Sequence, residues 1–304
     1  MKEIMLKSPS HVTIGASNIE DTARFFQAFG FVRESEGALG AFAARELYGI
    51  PYGTNETRLG MPGADRGYIR LIETSKEPIH GGPFDRGAHA VDLYVRDMGQ
   101  ALEVVKNTHA RIGPVAAYSV GVMSIKECKC VGPDDLALVL IEVDKRRPSV
   151  LDSAATVLFS EIHSAVYVVD SVDAAAGFWK EAGLKVLLDA TFAEPGVAEF
   201  MHLPRPDTRL RLALFADASQ LSVRLELIEF PDADGRGAPL IEPRPLRPGR
   251  FVCGFEVDDI AAAKKALPAA DYSKACRIGS GWVIAGTAPG GVGFEFWSPQ
   301  TEGG

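Results

Sequence analysis

Long apolar runs are missing from this 304-residue chain. None approaches the roughly 20 apolar residues that a membrane-spanning helix requires. The opening Met-Lys-Glu-Ile-Met-Leu-Lys also lacks the extended apolar core of a secretory signal. Cysteine is scarce: Cys128, Cys130, Cys253 and Cys276 are too few for a disulfide framework. A cytoplasmic location with reduced thiols is therefore expected, without a membrane partner. Excess positive charge is missing as well. Formal net charge is -8 and the pI about 5.4, so the basic patch that phosphate backbones require is not expected, and neither is a nucleic-acid partner.

What the chain does have is a stretch that occurs twice. His11-Val-Thr-Ile-Gly-Ala-Ser-Asn-Ile leads into a helical run with Phe25 and Phe26 and then Gly30-Phe31. His163-Ser-Ala-Val-Tyr-Val-Val-Asp-Ser-Val leads into Phe178-Trp179 and then Gly183-Leu184. The copies lie half a chain length apart, which points to duplication of a whole domain rather than to a short-repeat solenoid. Hydrophobic content of 46% and charged content of 24% are those of a folded soluble protein, and the length predicts about two domains.

Period-two alternation and turn residues divide each half into two units. The first runs over about 9–75: a strand at 10–17, a helix opened by an Asn18 cap, a strand at 31–36, a looser apolar stretch at 37–56, and strands at 57–61 and 67–73. The second, about 86–144, has a strand at 88–95, a helix from Asp97, and strands near 115–119, 122–131 and 136–143. The third, about 160–231, repeats the first, with a helix capped by Asp170 and a looser stretch at 189–207. The fourth, about 249–298, has a strand at 250–257, a helix at 258–267 and three closing strands. The fold class is therefore α+β, four βαβββ modules in tandem duplication. Residues 1–146 and 160–304 form the two domains, and 147–159 are the linker. The duplication extends into the loose stretches: Glu46-Leu-Tyr-Gly-Ile-Pro51 resembles Glu199-Phe-Met-His-Leu-Pro204.

Four such units, the paired aromatics before Gly-Phe and Gly-Leu, and closing strands such as Leu225-Glu-Leu-Ile-Glu229 resemble the vicinal oxygen chelate superfamily. That superfamily includes glyoxalase I, bleomycin-resistance proteins, methylmalonyl-CoA epimerase and extradiol dioxygenases. The resemblance implies paired modules curled into half-open barrels. It also implies a divalent metal (Ni, Co, Zn, Mn or Fe) held by a residue of each module's first strand, usually His, and one of its last strand, usually Glu. Imidazole and carboxylate suit these metals, and an open coordination position admits an oxygen-bearing substrate.

Carried over position by position, the pattern is met by His11, His163, Glu226 and Glu295. Arg70 falls at the closing-strand position of module one. Ala90 and Val139 take both positions of module two, with His89 one residue off, and Val252 takes the first position of module four. Two module pairings stay open. If modules three and four share a barrel, His163, Glu226 and Glu295 converge. If modules two and three pair, His163 and Glu226 meet with His89 beside them, and His11, Arg70 and Glu295 share the other barrel. Either way His163 and Glu226 are expected together. The expected metal ligands are thus His163, Glu226, Glu295 and His89. Glu226 and Glu295 are the candidate catalytic carboxylates, able to serve as general base.

Arg70 could instead hold an anionic substrate. His11 and Trp282 are candidate substrate contacts, with Tyr48, Tyr52 and His202 as further pocket-lining candidates. Cys128 and Cys130 share one strand face and read as buried thiols, and the paired aromatics read as core. Three functions remain open. One is a metal-dependent lyase or isomerase stabilising an oxyanion. A second is a metal-free binding protein of the bleomycin-resistance type. The third is a divergent ring-cleaving dioxygenase, whose triad would here be His163, Val252 and Glu295 and so lacks a histidine. Each takes a small-molecule partner, on a monomer or homodimer.

Overall fold

The structure, a computed structural model, describes residues 6–75, 77–120, 122–217, 223–232 and 238–299. Residues 1–5 of the N-terminal stretch read above for a signal, and Leu221 and Ser222 of the expected closing strand, lie outside them. Module one comprises β1 (His11–Ala16), α1 (Ile19–Gln27), β2 (Val32–Leu39), α2 (Ala41–Tyr48), β3 (Thr54–Gly60) and β4 (Tyr68–Glu73). Module two has β5 (Gly87–Val95), α3 (Met98–Lys106), β6 (Arg111–Val120), β7 (Met123–Val131) and β8 (Ala137–Val143). Module three has β9 (Phe159–Val168), α4 (Val172–Glu181), β10 (Lys185–Phe192), α5 (Pro195–Phe200), β11 (Leu210–Ala216) and β12 (Arg224–Glu229). Module four has β13 (Phe251–Glu256), α6 (Ile260–Ala266), β14 (Asp271–Tyr272), β15 (Cys276–Ile278), β16 (Gly281–Ala288) and β17 (Val292–Ser298).

The helix starts follow capping chemistry. Asn18 accepts from the backbone N–H of Glu20 and Asp21, and Asp97 accepts from Gln100. Ser171, not Asp170, caps α4 by accepting from Ala174. The two loose stretches each contain a short helix, α2 and α5. Gly49, just past α2, takes φ 67, and His202, just past α5, takes φ 59. The duplicated segments thus end their helices in the same left-handed conformation, which glycine adopts freely and histidine only at some cost.

The strands form two curled sheets. One has the order β14-β16-β17-β13-β1-β4-β3-β2, with β15 also paired to β16. The other has the order β10-β11-β12-β9-β5-β8-β7-β6. Module one therefore pairs with module four, and module two with module three. The sheets cut across the sequence division at 147–159, because the first strand of each module finds its antiparallel partner in the other half of the chain. Of the two module pairings the sequence left open, hydrogen bonding forms the one that joins module one to module four and module two to module three.

The main core lies between the sheets. There Phe29 packs on Phe159 at 5.0 Å and Trp179 stacks on Phe255 at 5.3 Å, so modules one and three, and three and four, share one apolar layer. Burying each such ring contributes roughly 1.5–3 kcal/mol. Two smaller clusters fill the concave faces. One comprises Leu47, Tyr48 and Ala285 in the barrel of modules one and four, and the other Val166, Phe200 and Met201 in the barrel of modules two and three.

At the first seam, His11 opposes Gly254 and Thr13 opposes Val252, without a shift. A Cβ on Gly254 would lie about 1.9 Å from His11 Cε1. Gly254→Ala is therefore expected to cost about 1–3 kcal/mol through overpacking, read as a lower urea midpoint at unchanged slope. A midpoint equal to the parent's would show that the His11 ring can swing aside.

Candidate functional site

The inner face of the barrel of modules one and four is occupied by its own side chains. Arg70 on β4 is buried, and so are Tyr48 at the end of α2 and Glu295 on β17. Arg70 donates to Glu56 through Nε at 2.8 Å and again through Nη2. Its Nη1 donates to the Tyr48 hydroxyl and lies 3.4 Å from Glu295 Oε2. The same Oε2 accepts from Tyr48 at 2.9 Å and from Trp297 Nε1 at 3.0 Å. The guanidinium also sits 4.7 Å from the Trp297 ring centroid. Burial raises the Glu295 pKa, and Arg70 opposes that shift. Burial alone would lower the Arg70 pKa, but Tyr48, Glu295 and Glu56 outweigh it. His11 is buried beside this network, stacked on Tyr68 at 4.6 Å, and is held neutral by burial and then by Arg70 and Arg58.

The barrel of modules two and three has a different interior. Matched by strand register, Glu226 beside Val166 stands where Arg70 stands beside Thr13, and Val139 beside Asp92 stands where Glu295 stands beside Gly254. The ion pair is thus replaced by a carboxylate facing an apolar side chain. Around Glu226 a cavity of about 50 Å³ is lined by Asp92, Glu127, Tyr118 and His89, and is closed by Phe200 and Met201 of α5. Tyr118 donates to Glu127 at 2.6 Å. Burial, and then the neighbouring Glu127, push the Glu226 pKa up to about 8; burial pushes Glu127 up to about 7. Asp92 is also raised, by burial and then by Glu226 and Glu127, and its Oδ1 is buried without a hydrogen bond. Burial thus favours the protonated forms of these carboxyls, with Arg224 opposing the shift at Glu226 and Asp92.

The expected His163–Glu226 pair does not form. Between Asp92↔Ser164 and Leu93↔Ile162, β9 carries one extra residue, which is His163. Such a bulge resets the inward and outward alternation. Ser164 therefore opposes Asp92 as His11 opposes Gly254, while His163 lines a separate pocket with Tyr94, whose ring it stacks on at 3.8 Å. A second bulge leaves His89 as the extra residue of β5, and it lines the acid cavity as a neutral imidazole, held so by burial and then by Lys129 and Arg250. Glu295 lies in the other barrel, away from the remaining expected ligands. Trp282 packs on the core between the sheets rather than on a barrel face, because Val283 and Ala285 take the inward places on β16. Among the described residues, no three His, Cys, Asp or Glu side chains converge closely enough to hold a metal ion. The residues present do not fit the metal that the resemblance implies.

Asp92, Glu127 and Tyr118 were not among the expected site residues. A signal existed: Asp92 interrupts the apolar run Ala-Val-Asp-Leu-Tyr, and Glu127 alternates with Cys128 and Cys130, whose burial on the core side turns Glu127 inward.

Comparison with solved structures decides the fold. Glyoxalase I from Zea mays superposes with a TM-score of 0.65 over 96% of this chain and 92% of that one, at 13% identity. A candidate dioxygenase from Bacillus subtilis gives 0.66 over 98% and 87%, at 11% identity. The fold is that of the vicinal oxygen chelate superfamily. No protein-family profile matches the chain, and no curated protein is similar to it in sequence. At these identities the vicinal oxygen chelate likeness extends to architecture and not to the residues of the site. Among the described residues, no helix is long and apolar enough to cross a membrane.

The plugged barrel yields a specific expectation. Arg70→Met leaves Glu295 buried without its cation and is expected to cost about 3–5 kcal/mol, whereas Arg70→Met with Glu295→Leu recovers most of that loss. Chemical denaturation of the three proteins checks this. A double variant no more stable than Arg70→Met would show that the pair is not coupled.

Proposed function

We propose that this chain is a glyoxalase-like small-molecule protein whose working site is the barrel of modules two and three, and that it moves protons there with carboxylic acids. The observation that carries this reading is the pair Glu226 and Glu127. Burial in one apolar cavity raises both into the range where a side chain can give and take a proton near neutral pH. Glu226, with the higher value, is the acid. Glu127, oriented by the Tyr118 hydroxyl, is the group that accepts. Asp92 and the acids beside it supply hydrogen bonds to a carbonyl or hydroxyl oxygen, stabilising negative charge that develops on it. The reaction class is isomerisation or elimination next to a carbonyl. The cavity as it stands has room for one or two waters, so a substrate enters only with displacement of α5, which would then exclude water from the reacting atoms.

A metal-dependent lyase or isomerase is the second reading. It rests on one observation: Asp92, Glu127 and Glu226 line one cavity, and Glu226 and Glu127 both raise Asp92, so a divalent cation would have to draw together acids that do not converge on an ion as they stand. Metal analysis after incubation with Ni, Co, Zn, Mn or Fe(II), followed by dialysis, separates the two. Well under one ion per chain is expected. One equivalent retained by the parent and lost in both Glu226→Gln and Glu127→Gln would replace the first reading with the second, and oxygen uptake with iron would point to dioxygenase chemistry.

A further inference from the structure

The cavity around Glu226 is rich in hydrogen-bond acceptors and poor in donors. On the reading that its barrel is the working site, we propose that the ligand of this cavity is a small aliphatic compound carrying a primary ammonium group, whose N–H donors are taken by Asp92 and Glu226.

The hydrogen bonds of the lining point this way. Asp92 is 3% exposed, lines the cavity, and leaves its Oδ1 without a partner. Among the described residues, Glu226 accepts no hydrogen bond, and Glu127 accepts only from Tyr118, at 2.6 Å. Among the same residues, none of the three acids forms an ion pair. Three carboxyl groups are thus met by the Tyr118 hydroxyl and, at Asp92, by the Ser164 hydroxyl. A buried acceptor without a donor is costly. An ammonium group brings three donors and no acceptor, whereas a hydroxyl brings one donor.

The basic side chains nearby do not fill this role. Arg224 opposes the shifts of Glu226 and Asp92 without bonding to either, and gives an amino group to the Tyr94 hydroxyl instead. Lys129 lines the cavity, yet burial and then Arg250 lower its pKa and no acid raises it, so its amine stands away from the carboxyls. His89 is held neutral by burial and then by Lys129 and Arg250. Burial raises all three acids, and an ammonium ion beside them would oppose that shift. Where Glu226 is protonated in the free protein, binding the ammonium form releases that proton to solvent and leaves a carboxylate–ammonium pair.

Size and wall composition agree. A volume of about 50 Å³ admits a cation of about two heavy atoms with α5 in place. Tyr118, Phe192 and Phe200 give the cavity aromatic wall, which favours a cation.

NMR titration of the intact protein near pH 7 with methylammonium chloride, at constant ionic strength in potassium chloride, tests the proposal. Saturable shifts of the cavity residues are expected, with a Kd on the order of 10 mM, near the limit for so small a ligand. Methanol, of the same size with one donor, and tetramethylammonium, a cation with none, should bind about tenfold more weakly or worse. Asp92→Asn and Glu226→Gln should each weaken methylammonium by about tenfold. The Glu226 carboxyl carbon should move toward its ionised position at saturation. If that carboxyl is already ionised before addition and methylammonium still saturates, the proposal stands and the proton-transfer reading of the barrel falls. If Glu226 is protonated but methylammonium does not saturate, or is matched by methanol or tetramethylammonium, or binds unchanged in both variants, the proposal is overturned and the proton-transfer reading stands.

Discussion

Antiparallel pairing of first strands is the constraint on which the rest of this structure depends. β1 joins β13, and β5 joins β9, and these two seams decide which modules share a concave face. Because side chains alternate along a strand, the register at each seam then decides which residues enter the barrel. At the β1–β13 seam the register runs unbroken, and His11 and Thr13 come inward. At the β5–β9 seam the register shifts three times, with His89 extra on β5 and His163 extra on β9 at two of the shifts, and this changes the set that faces in. A duplicated sequence therefore yields two barrels with the same backbone plan and different interiors.

The difference between the interiors is electrostatic. In one barrel Arg70 supplies the cation that Glu295 needs, and Tyr48 fills the remaining space, so every strong charge has a partner. Such a pair adds little net stability over an apolar core, but losing one member is expensive. In the other barrel Glu226 takes the place of Arg70, Val139 the place of Glu295, and Met201 the place that the matched sequences give to Tyr48. No guanidinium reaches the acids from that position, and the low-dielectric walls raise their pKa values instead. Tyr118 donates to Glu127, and Arg224 opposes the shifts of Glu226 and Asp92 without cancelling them.

Much of the architecture was legible in the sequence. Four βαβββ units followed from period-two strands and from caps such as Asn18 and Asp97, and the duplication followed from the two histidine-headed strands. The short helices α2 and α5 were not legible, since eight and six residues carry too few turns for a helical period to stand out. The pairing of module one with module four was left open, because no local signal records which strands meet across a chain length. The site was less legible still. Arg70, Glu295 and Tyr48 do meet, yet as a closed network. His163 and Glu226 share a sheet but not a compartment, because a bulge is a property of two strands together and leaves no mark in either alone. Asp92 and Glu127 were visible as charges in apolar strands and gained meaning only when both were seen to face the same cavity.

The most direct measurement is the titration of the glutamate carboxyl carbons by 13C NMR, assigned through Glu226→Gln and Glu127→Gln. The account predicts one carboxyl that keeps its proton to about pH 8 and another to about pH 7, both belonging to the barrel of modules two and three. Glu226 and Glu127 titrating together near the ordinary glutamate value of about 4.3 would contradict it, since the cavity would then be wet and its acids ionised.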